Sequence, residues 1–340
     1  MVGIVSYGFY VPQYRIKVEE IAGVWGKEPI HVLSSLGIEE KAVAAIDEDS
    51  LTMAFESVSM ALSSVKLKKD DIRAIFFGSE TPPYVVNPAS TILAEFLGID
   101  HHYLASDTQF ACKAATGAII TAASLVSSQF TSNALVIASD KANAKPHDPL
   151  EYTASSGSVS LLLGNKNIML EIVAMSSFSS DTPDFWRREG IRYPSHGGRF
   201  TGKPSYFYHI QNSASDLLKK QHLKPSDFAY GIFHMPNGRF PREISTTLGF
   251  TKKQIEPSLV VRSLGNSYTA SALMGLVSVL EVAKPNDLIF FASYGSGAGS
   301  DAFIFKVTQN IKDKRQEFRK KIENKTYIDY QNYLKFMRNL

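Results

Sequence analysis

The sequence predicts an α/β protein made of two similar halves. Apolar runs rich in β-branched and aromatic residues alternate with helical patterns a dozen residues or longer. A strand, helix and strand pattern then recurs at a near-constant offset. Continuously apolar strands belong to sheets covered on both faces, which is the α/β arrangement.

Taken in order, "MVGIVSYGFYVPQYR" reads as a strand entering a Pro-marked turn, and it lacks the basic stretch of a signal peptide. A helix is predicted over 50–65, capped by Asp49 or Ser50. Strands follow at 72–80 ("IRAIFFGSE"), 133–140 and 157–164, with a helix at 111–129 between the first two. Later come a helix at 205–221, a strand at 227–236, a helix at 267–284, and strands at 287–295 and 300–307. Aligning "LKKDDIRAIFFG" with "LKPSDFAYGIFH" sets Leu67, Asp71 and Phe77 on Leu223, Asp227 and Phe233, while Ala138-Ser139 falls on Ala292-Ser293. The helices at 111–129 and 267–284 are both dense in Ala, Ser and Gly, which suits close packing. The expected units are therefore 1–165, 166–310 and a helical tail over 311–340, whose run "KDKRQEFRKK" reads as a solvated face.

With 340 residues, 44% hydrophobic and 20% charged, the chain can bury a large core. A net charge of +3, dispersed along the sequence, makes no case for nucleic acid. No apolar run reaches the ~20 residues that cross a bilayer. The single cysteine excludes an internal disulfide and favours a reducing compartment, the cytoplasm. Neither an HExxH pair nor zinc-ribbon spacing is present, so no metal is expected. The glycine-rich "YGSGAGS" lacks the Gly-Lys-Ser/Thr of a Walker loop.

In open α/β sheets, functional groups sit beyond the carboxyl ends of strands. That rule selects Glu80 and His234 at strand ends, and Cys112 and Asn266 at the starts of the two small-residue helices. A pseudo-twofold axis between the halves brings all four to one cleft. A cysteine at a helix start gains thiolate character from the macrodipole, and His234 adds to it. First-turn N–H groups and those of the glycine-rich loop can hold an oxyanion, which points to acyl transfer. The same residues have plainer readings. A lone cysteine among small residues is also a small buried hydrophobe. Glu80 is either a solvated turn carboxylate or a base raised by burial. "YGSGAGS" also serves as a strand-to-strand turn.

"SE" ending at Glu80, "FACKAATGA" and "FHMPNGRF" resemble the acid/base, nucleophile and histidine motifs of the hydroxymethylglutaryl-CoA synthase family, in its shorter archaeal-type form within the thiolase superfamily. "DFWRREGIRYPSHGGRFTGKPSY", "EYT", "GNSYTAS" and "SYGSG" are similar to its substrate- and CoA-binding stretches, and "RKKIENKTYIDYQNY" to its C-terminal segment. The resemblance spans nearly the whole chain and implies a thiolase-like five-layered αβαβα fold. It implies that Cys112 is acetylated by acetyl-CoA, that Glu80 takes a proton from the acetyl methyl, and that His234 with Asn266 stabilises or protonates the alkoxide formed from acetoacetyl-CoA. Hydrolysis then frees 3-hydroxy-3-methylglutaryl-CoA for the mevalonate pathway to isoprenoids. Thr153 and Ser296 would line the acyl pocket, with Thr201 and Lys203 towards CoA. Arg239 stands where the family usually has a lysine near CoA. CoA thioesters would be substrates, and no cofactor is implied. The family also implies a homodimer or larger assembly, and its archaeal-type branch a complex with acetoacetyl-CoA thiolase and a small bridging protein.

The chain departs from the family pattern at Met235-Pro236-Asn237 after the histidine and at Lys113 after the cysteine. Two rivals share the fold: a priming-type ketoacyl-acyl-carrier-protein synthase, which needs no glutamate base, and a non-catalytic scaffold subunit.

Overall fold

A computed structural model describes residues 1–338. Strands β1 (Gly3–Tyr10), β2 (Tyr14–Lys17) and β3 (Glu40–Val43) come first, the last two separated by helices α1 (Val18–Val24) and α2 (Pro29–Leu36). Next are α3 (Ser50–Ser63), β4 (Ile72–Gly78), α4 (Ala89–Leu97), β5 (Leu104–Thr108), α5 (Ala114–Ser127), β6 (Asn133–Lys141) and β7 (Ser156–Gly164). The second half begins with β8 (Leu170–Thr182), the hairpin β9 (Phe185–Trp186) and β10 (Ser195–His196), α6 (Tyr208–Gln221) and β11 (Tyr230–Phe233). It continues with α7 (Phe240–Leu248), α8 (Lys252–Ile255), α9 (Val261–Leu264), α10 (Ser271–Leu280), β12 (Leu288–Ala292) and β13 (Gly297–Val307). The chain then adds α11 (Phe318–Glu323), β14 (Thr326–Tyr327) and α12 (Tyr330–Phe336).

Nine strands are hydrogen-bonded in the order β11-β12-β13-β8-β1-β7-β6-β4-β5. The order is the same read outward from the centre in either direction: β1, β7, β6, β4 on one side and β8, β13, β12, β11 on the other. Among the described strands of this sheet, only β5 lacks a counterpart. The two sides meet at a narrow seam, where Gly3 pairs with Glu171 and Ile4 with Leu170. Glycine is required there, because a Cβ on Gly3 would lie 2.3 Å from the Leu170 carbonyl oxygen.

Strand side chains alternate between faces, and the alternation defines the layers. Ile75, Phe77, Leu135 and Ile137 pack outward against Leu51, Val58 and Leu93 of α3 and α4. Their neighbours Ala74, Phe76, Ala134 and Val136 face inward onto α5 and α10. From the other half, Ile289, Phe291, Phe303 and Phe305 cover the same two helices. Phe290, Ala292 and Ile304 turn outward to Ile210, Leu217 and Ile244 of α6 and α7. Helices, sheet, helices, sheet and helices thus form five layers, with α5 and α10 in the middle. Every residue of α10 is buried, and the central helices stay close because their interface is Ala-, Ser- and Gly-rich.

The structure holds elements that the sequence reading did not predict, β2, β3, β5, β8, β9 and β10 among the strands and α1, α2, α4, α7, α8 and α9 among the helices, and it departs in the tail. Strand β5 is half exposed, and β8 carries four serines among its thirteen residues. The segment over 311–340 is not wholly helical. Its β14 pairs in parallel with β2 and completes a three-stranded sheet with β3. Tyr330 and Tyr333 of α12 then pack with Ile16, Ile21 and Val43. Among the described residues, no helix is long and apolar enough to cross a membrane.

Candidate active site

Glu80 lies just past β4, in a loop organised by a buried carboxylate from β6. Asp140 Oδ1 accepts from Ser79 Oγ (2.8 Å), Glu80 N (2.8 Å), Thr81 N (3.0 Å) and Thr81 Oγ1 (2.8 Å). Its Oδ2 accepts from Thr269 N (3.0 Å), across the pseudo-twofold axis. One side chain therefore fixes the Glu80 loop to the Asn266 loop. Sequence reading noted the strand that ends at Asp140 but not this role, since nothing in "NALVIASD" separates a buried hub from a strand-end acid.

Cys112 is buried beside Glu80, close enough for the charge of each group to act on the other. It does not sit in the first turn of α5 as expected. The helix begins at Ala114, and Ala111 adopts a positive φ of 44° to turn the chain into it. A non-glycine residue in that region is a strained position of the kind that clusters at functional sites. Burial opposes the thiolate expected at a helix start. Burial, then the nearby Glu80 charge, push the thiol well above its ordinary range. Burial and then Asp140 raise Glu80 to about 8, against which Cys112 and Arg187 pull weakly. Removing water from around both groups favours their protonated forms. Glu80 Oε1 is buried without a hydrogen-bond partner.

His234 follows β11, its N–H donating to Ala292 O (2.9 Å) and its carbonyl accepting from Tyr206 Oη (2.6 Å). Its Nδ1 is buried without a partner, and burial lowers the imidazole to about 3. The ring is neutral and cannot assist a thiolate as an imidazolium. Asn266 donates its N–H to Thr153 O (2.7 Å) and accepts from Tyr268 N at Oδ1 (3.0 Å), which brings the two loops expected at the acyl pocket side by side.

The glycine-rich segment folds against the nucleophile turn. Gly295 and Gly299 exchange N–H···O bonds of 2.8 Å, and Gly297 N donates to Asp184 Oδ1 (2.7 Å). Asp184, from "DFWR", also accepts from Tyr294 Oη (2.7 Å). These N–H groups are committed and do not serve an oxyanion, whereas those of Cys112 and Ser296 lie outside these bonds. A Cβ on Gly295 would come within 2.5 Å of Phe110 O. Lys113, the departure after the cysteine, points away from the reacting centre. It forms a buried ion pair with Asp301 (3.1 Å) across the two halves.

A cavity of about 600 Å³ runs from Cys112, His234 and Asn266 past Thr153 and Ser296 to Thr201 and Lys203. Leu36, Leu150, Phe185, Tyr206, Phe207, Phe240 and Tyr294 give it apolar walls, a lining that sequence reading did not identify. Glu80 instead faces a second cavity of about 420 Å³, separated by a wall of Phe185, Tyr268 and Ser296. Arg239 lies outside both: it is exposed at the start of α7, between the lining residues Asn237 and Phe240.

Residues 241–339 match the family model described as hydroxymethylglutaryl-coenzyme A synthase, C terminal. The chain is 47% identical to a hydroxymethylglutaryl-CoA synthase of Methanopyrus kandleri over 342 aligned positions, covering 100% of this chain and 98% of the relative. It belongs to the hydroxymethylglutaryl-CoA synthase family. A Methanosarcina barkeri relative is 48% identical, with 98% of this chain and 97% of that one covered. The fold agrees with a crystal structure of an HMG-CoA synthase complexed with CoA, at a TM-score of 0.89 and 24% identity, covering 98% of this chain and 89% of the other. It agrees also with MvaS in complex with 3-hydroxy-3-methylglutaryl coenzyme A, at 0.91 and 21%, covering 99% and 91%. Family membership makes the chain a condensing acyltransferase and favours neither the priming synthase nor the scaffold.

Proposed function

We propose that this chain condenses acetyl-CoA, acetoacetyl-CoA and water into 3-hydroxy-3-methylglutaryl-CoA and CoA, in the mevalonate pathway to isoprenoids. The observation that carries the assignment is the burial of the Cys112 thiol beside Glu80, at a cavity lined by Cys112, His234 and Asn266. The thiol attacks acetyl-CoA and its proton leaves on the CoA sulfur. Ionised Glu80 then takes a proton from the acetyl methyl, and the carbanion attacks the ketone of acetoacetyl-CoA. Neutral His234, with Asn266, donates a hydrogen bond to the alkoxide as it forms, the proton held by Glu80 passes to it to give the 3-hydroxyl, and water then cleaves the Cys112 thioester. Thr153 and Ser296 shape the acyl pocket, Thr201 and Lys203 line the CoA-facing end, and exposed Arg239 is available to phosphate at its mouth. No metal or further cofactor takes part.

Labelled acetyl-CoA tests the reading by trapping label on Cys112, followed by release into product on adding acetoacetyl-CoA. Label that moves to product with a malonyl-carrier protein instead would assign the priming reaction. We place the enzyme in the cytoplasm on its single thiol, and as a homodimer formed at β5. That strand ends the sheet, and exposed Val85 and Val86 lie in the loop beyond β4. The thiolase and bridging-protein complex remains part of the same proposal.

A further inference from the structure

Of the residues given roles in acylation and condensation above, Glu80 and Ser296 reach the second cavity, and the rest of its lining has no part in those steps. It meets the reacting centre at Glu80, Ala111, Tyr268, Ser296 and Gly297, and its outer wall carries Arg187 and Arg192. Arg187 Nη2 donates to the Glu80 carbonyl oxygen at 3.0 Å, which places a guanidinium beside the acid/base loop. Arg192 donates to the Met337 carbonyl oxygen at 3.3 Å, which ties it to the C-terminal segment. Glu80 is the only acidic residue that lines this cavity.

The chemistry creates a need for such cations. In the last step water adds to the acyl carbon held by Cys112, the C–S bond breaks, and Sγ leaves with one of the water's protons. The second proton is lost to solvent, and the acyl carbon becomes a carboxylate. This negative charge appears beside Glu80 and near Asp140, which is buried like Glu80, in a site where burial disfavours carboxylates. The larger cavity offers little relief: its wall is mainly apolar near Cys112, and its Arg199 and Lys203 belong to the segment that lines its CoA-facing end. Lys113 is already paired with Asp301.

We propose that the second cavity is a carboxylate site, in which Arg187 and Arg192 receive the acid group that hydrolysis generates at Cys112. The cavity is also the route by which water reaches the acyl carbon while the CoA arm fills the first cavity. This rests on the condensation proposed above and assigns its final step to a separate compartment. Arginine suits the role, since its planar fork binds carboxylates bidentately and stays charged.

Quenched-flow mixing of acetyl-CoA and then acetoacetyl-CoA, read by intact-protein mass, distinguishes the acetyl adduct on Cys112 from the condensed adduct. In the Arg187→Gln/Arg192→Gln enzyme, acetylation is expected at the wild-type rate, while release of the condensed adduct slows about tenfold or more, the scale of one lost hydrogen bond to a charged group. Arg187→Lys should restore much of the release rate. Unchanged release in the double variant overturns the carboxylate site alone. So does a loss of acetylation matching the loss of release, since the arginines would then be supporting the fold. Absence of any acetyl adduct in the wild type would remove the condensation reading, and this site with it.

Discussion

Glu80 and Cys112 each hold a proton that the reaction must move, and the environment that retains those protons sets the pH dependence. A base works only when ionised, and Glu80 is raised to about 8. Condensation by the wild type should therefore increase as pH rises through about 8, with no acid limb from His234, which stays neutral down to about 3. Stopped-flow rates across that range check it. In Glu80→Gln the limb should vanish, and condensation should fall ~10²–10⁴-fold while Cys112 still acetylates. Loss of both steps together would make Glu80 a structural support. Asp140→Asn tests the other side of the balance. It removes a charge that raises Glu80, so the limb should move to lower pH. It also replaces an acceptor of five hydrogen bonds by an amide that matches fewer of them, so the melting temperature should fall.

At the scale of elements, the nucleophile turn and the glycine-rich loop are a single packed unit. Gly295→Ala would drive a Cβ to 2.5 Å from Phe110 O and 2.6 Å from the Lys113 side chain. An overpacked contact of this kind costs about 1–3 kcal/mol. Calorimetry should show the loss of stability, and acetylation should drop with it because the turn that carries Cys112 shifts. The same region marks how far the sequence is readable. The apolar strands, the two small-residue helices and the repeat were legible because continuous apolar runs and Ala/Gly density have few other uses. Strand β5 was not, since an edge strand needs no apolar run. Nor was the start of α5: Ala111, a good helix former, adopts a positive φ that only its packing explains. Cys112, Glu80, His234 and Asn266 were legible from their strand-end and helix-start positions. The protonation states of the first three were not, because they depend on how much water the fold removes.

For the whole molecule, the open edge of β5 and the exposed loop after β4 carry the quaternary prediction. Val85 and Val86 are 87% and 90% exposed, and a Val85→Glu/Val86→Glu chain should elute and scatter light as a monomer if they lie at the contact. An unchanged mass would move the dimer surface elsewhere. The tail belongs to this scale as well. Tyr330 Oη donates to Glu151 Oε1 (2.7 Å), Trp25 Nε1 to Glu151 Oε2 (2.9 Å), and buried Lys41, held down to about 7 by desolvation, donates to Tyr333 Oη (3.1 Å). Glu151 thus faces the tail, while Thr153, two residues on, faces the acyl pocket. Tyr330→Phe should leave the Glu151 carboxylate short of a donor, and it should lower the melting temperature more than it lowers acetylation.

That arrangement has a consequence for how the enzyme is made. Translation releases the amino-terminal half first, so Cys112, Glu80 and Thr153 leave the ribosome long before Tyr330 and Tyr333. The Glu151 carboxylate, held by Trp25 and by the His147 N–H, gains its Tyr330 donor only once α12 has been made. A growing polypeptide therefore carries its thiol through synthesis while the loop beside the acyl pocket still lacks one of its braces, the one that α12 supplies.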